Sequence, residues 1–117
     1  MSATATLVKA LTKLLGVRVA TRLPETKPDR FVLVSRIGGG ADDWATRNPR
    51  FLIECFATSE LAAETLGEQL WEAWPNLRAD PAILWASADH NLARYDDPDP
   101  ALCRFQFTAN LQLKAAQ

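Results

Sequence analysis

FVLVSRIGGGADDWATRNPRFLIECF, residues 31–56, reads as two β-strands joined by a long polar loop, and the rest of the chain is organised around it. Successive strand residues point to opposite sides, so Phe31, Leu33 and Ile37 share one face of the first strand, and Phe51, Ile53 and Cys55 one face of the second. The alternate positions are mixed: Val32, Val34 and Arg36, then Arg50, Leu52 and Glu54. Both faces are therefore expected to be at least partly covered, as in strands at the centre of a sheet. Gly38, Gly39 and Gly40 hold three of the chain's five glycines, and Asp42, Asp43, Trp44, Arg47 and Asn48 follow. A tight hairpin needs only two residues, so the eleven-residue connection over 38–48 points to a loop with a function of its own.

N-terminal to this unit, residues 4–15 place Leu7, Val8, Leu11, Leu14 and Leu15 at helical spacing, with Gly16 where a C-cap belongs. Val17 to Arg22 is a short β-prone run, and LPETKPDR, with Pro24 and Pro28, is a turn-rich connector. C-terminal to the unit, Thr58 as N-cap and Glu60 in the first turn start the helix SELAAETLGEQLWEAW, which Pro75 ends. Ala62, Ala63, Leu66, Leu70, Ala73 and Trp74 share one face of that helix, opposite Glu60, Glu64, Glu68 and Glu72. Trp71 falls among the acids, so it is either folded back on the domain or buried against another subunit.

The chain then turns over 76–81, forms a strand over Ile83 to Ala88, and enters a second long loop, 90–102, containing Tyr95, Asp96, Asp97 and Asp99. The clearest element comes next. Cys103, Phe105, Phe107, Ala109, Leu111 and Leu113 alternate with Arg104, Gln106, Thr108, Asn110, Gln112 and Lys114, the pattern of a strand whose second face meets water or a polar partner. The order is helix, strand, strand, strand, helix, strand, strand. It predicts an α+β fold over residues 1–117 as a single domain: a mixed, mostly antiparallel sheet of about five strands with two helices packed on one face.

At 117 residues the chain buries roughly two thirds of its unfolded surface. A net charge of -1 gives no electrostatic reason to grip nucleic acid over the whole surface. Cys55 and Cys103 sit on apolar strand phases and read as buried thiols of a reducing cytosol. No signal-peptide pattern and no apolar run of about 18 residues occurs, so a soluble protein without a membrane partner is expected.

Chemistry is hard to find. The glycine run leads into Asp42 and Asp43 with no Lys-Ser/Thr pair and no helix start, so it lacks a phosphate-binding fingerprint and reads as a flexible strand exit. The adjacent acids read as solvated turn formers, because a calcium loop needs alternating ligands closed by a distant Glu. His90 alone cannot build a histidine-rich zinc site, and a Cys-His nucleophile would require a cysteine from a buried strand face. No catalytic residue, cofactor or metal is predicted. Four tryptophans, and nine arginines against four lysines, favour a binding surface, with Trp44 and Trp71 as its first anchors and Trp74 and Trp85 as core.

Three stretches resemble the tail-terminator, or tail-to-head joining, proteins of long-tailed bacteriophages: LVKALTKLLGVRVATRLPETKPDRFVLVSRIGG, NPRFLIECFATSELAAETLGEQLWEAW and DPDPALCRFQFTANLQLK. They carry an N-terminal helix, a P-x-R-F-V strand start, a glycine exit and an F-Q-F-T closing strand, in the family's order. The resemblance implies a structural, non-enzymatic virion protein, present in the host cytoplasm during assembly. As a hexameric ring of identical subunits it would cap the tail-tube protein and dock the head-side connector or stopper. DNA would pass through its lumen without specific binding. Under this resemblance the interface candidates are Arg36, Gly39, Asp42, Asp43, Trp44, Arg47 and Arg50 around the first loop, Trp71 on the helix, and Tyr95, Asp96 and Asp97 in the second loop. Three other roles compete: a neighbouring neck component such as a head-completion or stopper protein, a small α/β domain binding a phosphate ligand at the glycine loop, and the tail-tube subunit itself.

Overall fold

The computed structural model describes residues 1–115. Its elements run Ala3–Leu15 (α1), Val19–Ala20 (β1), Arg30–Gly39 (β2), Thr46–Arg47 (β3), Pro49–Ala57 (β4) and Glu60–Ala73 (α2). A 3-10 helix over Trp74–Ala79 follows, then Ile83–Ala88 (β5), Ala93–Asp96 (β6) and Cys103–Lys114 (β7). All strands join one mixed sheet, in which only β1 pairs in parallel, with β2, and every other pairing is antiparallel. The two helices lie on one face, as the strand patterning predicts.

The long alternating strand is the hub. One edge of β7 pairs with β4 and then β3, and the other with β6 and then β5. Its apolar residues Phe107, Ala109, Leu111 and Leu113, with Val32, Val34, Phe51, Ile53 and Cys55, meet Leu7 and Leu11 of α1 and Leu66 and Leu70 of α2 in the main core. Trp74 is fully buried there, edge-on to Phe107 at 5.9 Å, with its indole N–H donating to the Asn110 carbonyl oxygen at 3.3 Å. Cys55 is also in this core; burial, reinforced by Glu54, pushes its thiol up to about 12, so it stays protonated and unreactive at neutral pH. Across the sheet a smaller cluster forms where Phe31 stacks on Phe56, 4.8 Å between centroids, beside Leu33 and Leu102. Both faces of β2 and β4 are thus covered at that end.

Several expectations are corrected. The sheet has seven strands because two short ones form inside the two loops: β3 shortens the first to Gly40–Ala45, and β6 places Tyr95 and Asp96 on a strand. Ser59, not Thr58, caps α2, accepting from the Ala62 N–H at 3.2 Å. Pro75 ends the α-helix but not the helical path, since a proline in the first turn of a 3-10 helix forfeits no internal hydrogen bond. Ile37, Leu14 and Ala62 are exposed and Cys103 is only half-buried. Trp85 is 52% exposed, because a bulge between Ile83 and Trp85 shifts its register against β7. Gly16 does cap α1 in the left-handed conformation.

Trp74→Ala is expected to destabilise the fold by about 3–5 kcal/mol in denaturant unfolding, and Trp85→Ala by less than about 1 kcal/mol. Gly39 has φ of 129°, and an added Cβ would overlap the Asn48 carbonyl oxygen. Gly39→Ala is therefore expected to cost about 1–3 kcal/mol and to disturb amide shifts across the β2–β4 junction, whereas Gly40→Ala leaves both near wild type.

Candidate functional site

The first loop is built by its own carboxylates. The Asp43 Oδ1 accepts from the N–H groups of Ala45 and Thr46 at 2.8 and 2.7 Å, and the Asp42 Oδ1 accepts from the Asn48 N–H at 2.8 Å. The backbone bonds from Ala45 and then Thr46 hold the Asp43 carboxyl below the ordinary carboxylate range. Asn48 donates from its side chain to the Ala41 carbonyl oxygen, the Gly40 N–H donates to the Asn48 carbonyl oxygen, and the Ala115 N–H ties Ala45 to the end of β7. The glycine exit is thus an ordered bulge and not a loose tether. On this frame Trp44 stands 93% exposed. Arg36 and Gly39 lie at the exposed end of β2, and Arg47 donates to the Met1 carbonyl oxygen at 3.4 Å. A phosphate cradle is not formed here: the Gly40 N–H is already used, and two carboxylates border the turn.

Tyr95, Asp96 and Asp97 lie at the other end of β7, since β6 pairs with Cys103–Gln106 and β3 with Leu113–Lys114. The two groups are separated by nearly the length of a twelve-residue strand, about 35 Å. Arg104 organises this end. It pairs with Glu54 at 2.9 Å, lies 3.8 Å from Asp97, donates to the Asp96 carbonyl oxygen at 3.2 Å, and sits over the rings of Phe56 and Tyr95. Asp97 is largely buried by this contact, whereas Tyr95 and Asp96 are exposed.

Two candidates lie between the ends. Trp71 folds back on its own domain: half-buried, it packs on the main core and donates to the His90 carbonyl oxygen at 3.1 Å. Arg50 pairs with Asp89 at 2.7 Å and donates to the Thr108 hydroxyl at 3.1 Å, in a cluster that also takes in His90, 2.7 Å from that hydroxyl. Thr108 is on the sheet face opposite Cys55, so no Cys55–His90 pair is assembled, and Cys103 is about 16 Å along β7. Asp89, Glu54 and Arg104 carry this polar face, and sequence patterning did not single them out because their partners come from distant strands. It also missed Arg78, whose guanidinium lies 4.7 Å over the Trp85 ring and lines a groove of about 500 Å³ with Trp71, Pro75 and Ala86.

Burial pushes the Asp89 carboxyl up, but the Thr108 hydroxyl, its own backbone N–H, Arg50 and His90 outweigh this and leave it below its ordinary 3.8. The stability it contributes is therefore complete above its unfolded value and lost as pH falls through the lower folded one. Asp89→Asn is expected to flatten the acid limb of a stability-against-pH curve below about pH 4, and carboxyl NMR titration should find Asp89 among the last side chains to protonate.

No family model matches the chain, and no curated protein matches it. Among solved structures the chain is similar to one in the virion of a native gene transfer agent particle, with a TM-score of 0.64, 14% identity, and coverage of 90% of this chain and 84% of that one. The two chains share a fold, carried by sequences that differ at most positions.

Proposed function

We propose that this chain is a structural subunit of a phage-like virion, forming a hexameric ring that caps the tail tube, terminates its polymerisation and offers a docking surface to the head-side connector. The observation that carries this reading is the fold shared, over 90% of the chain, with a protein of a gene transfer agent virion. The closing-strand and glycine-exit resemblance to tail terminators supplies the finer assignment. A capping ring needs two axial surfaces, one for the tube and one for the connector, and the exposed candidates at the two ends of β7 suit that demand. Lateral contacts between identical subunits in a ring are heterologous, with two different patches meeting around the axis. Such a role requires neither catalysis nor a cofactor.

Passage of DNA through the lumen is served by a surface whose arginines are neutralised by neighbouring carboxylates. Arg50 and Arg104, on the polar sheet face, are each matched by a carboxylate, and the total charge is -1. The same fold likeness suits a neighbouring neck component, a head-completion or stopper protein, and position in the particle separates the two roles.

Electron microscopy of particles assembled without this protein should show overlong tails or tails unjoined to heads. Labelled protein should sit directly on the tube end. Label on the portal side assigns the stopper role instead, and normal tails with joined heads overturn both. The isolated ring should bind duplex DNA weakly; tight, strongly salt-dependent binding contradicts the unobstructed lumen.

A further inference from the structure

Resting on the ring-subunit reading above, we propose that Trp44 of one copy docks in the Trp71–Trp85 groove of the next copy. The peg and its hole are both present in a single chain and are not engaged with each other. Trp44 is 93% exposed, while its loop is held by the carboxylate and backbone hydrogen bonds already described. A large aromatic side chain presented on an ordered loop loses little conformational freedom on binding, which is the property of an interface anchor.

The groove is mainly apolar and aromatic, lined by Trp71, Pro75, Trp85, Ala86 and Ala88, with Arg78 stacked on Trp85 at its lip and Glu72 and Ser87 as its other polar residues. It runs beside β5, which pairs with β7 on one edge and with no strand on the other among the described residues. At about 500 Å³ it accommodates an indole.

Charge selects a second copy as the occupant. Among the described residues Arg78 has neither an ion pair nor a hydrogen bond, so its guanidinium donors are uncommitted. Asp42 and Asp43, next to Trp44 in sequence, each use Oδ1 on backbone N–H groups and leave Oδ2 without such a bond. Seating Trp44 against Trp85 brings these carboxylates toward Arg78, a charge-assisted pairing across a desolvated contact. Docking within one chain is prevented because β3 and the Ala115–Ala45 bond fasten the loop to β7. The resulting contact joins two different patches, the geometry that closes into a ring when the rotation divides the circle.

The test uses two full-length variants, Trp44→Ala without the peg and Arg78→Glu with a reversed charge at the lip, both at exposed positions. Circular dichroism and thermal melting establish that each is folded. By sedimentation, the wild type should associate beyond the dimer, while each variant alone associates at least about 30-fold more weakly. Mixing the two restores one intact junction, the Trp44 of the Arg78→Glu copy in the groove of the Trp44→Ala copy, so the mixture should give one-to-one dimers and nothing larger. Wild-type-like assembly by both variants overturns the contact and leaves the ring reading standing. Loss of assembly with no dimer on mixing also overturns it, by showing that Trp44 and the groove serve different partners. A wild type that is monomeric at every concentration overturns self-docking, and the ring reading is then decided by the microscopy described above.

Discussion

Two-sided pairing of one strand is the constraint on which the structure depends. Residues Cys103–Lys114 meet β4 and β3 along one edge and β6 and β5 along the other, so four separate segments take their register from a single template. A slip of one residue in β7 would exchange Phe107, Ala109, Leu111 and Leu113 for Gln106, Thr108, Asn110 and Gln112 in the helix-covered core. The burial of Trp74 against Phe107 ties the end of α2 to the same strand. Helix placement and strand register are therefore consequences of one pattern.

The two ends of the sheet are finished by opposite means. Near Arg104 an arginine is drawn inward, spreading over Phe56 and Tyr95 while its charge is met by Glu54 and Asp97, so aromatic and ionic contacts consolidate one another. At the other end, among the described residues, no side chain buries Trp44 at the turn. Asp42 and Asp43 satisfy backbone donors instead, and the apolar residue between them and β3 is left to face outward. Local polar bonds thus give order without a core, and they hold an exposed tryptophan in place.

Patterning along the chain was informative where periodicity and burial coincide. Alternation in β7, the helical stripe through Leu7 and Leu11, and the double-sided character of Val32 to Val34 all identified the correct faces. It failed where a short strand depends on a distant partner: Thr46 and Arg47 become β3, and Tyr95 and Asp96 join β6, only because β7 offers a free edge. Trp85 was misplaced in the core for a related reason, since a bulge changes the phase that simple alternation assumes. Of the candidate residues, Trp44, Asp42 and Asp43 were visible because loop length and residue type suffice to mark them. Arg78 was not, because a single arginine in the turn after a proline acquires meaning only when the following strand brings the Trp85 indole beneath it.

The hub strand also follows all of its partners in sequence. During synthesis β2 and β4 can meet as a hairpin, but β3, β5 and β6 have no template until the ribosome has passed Lys114. Until then the ladder that fastens the Trp44 loop does not exist. Ordering of that loop is thereby delayed until β7 has been made, a timing written into strand order alone.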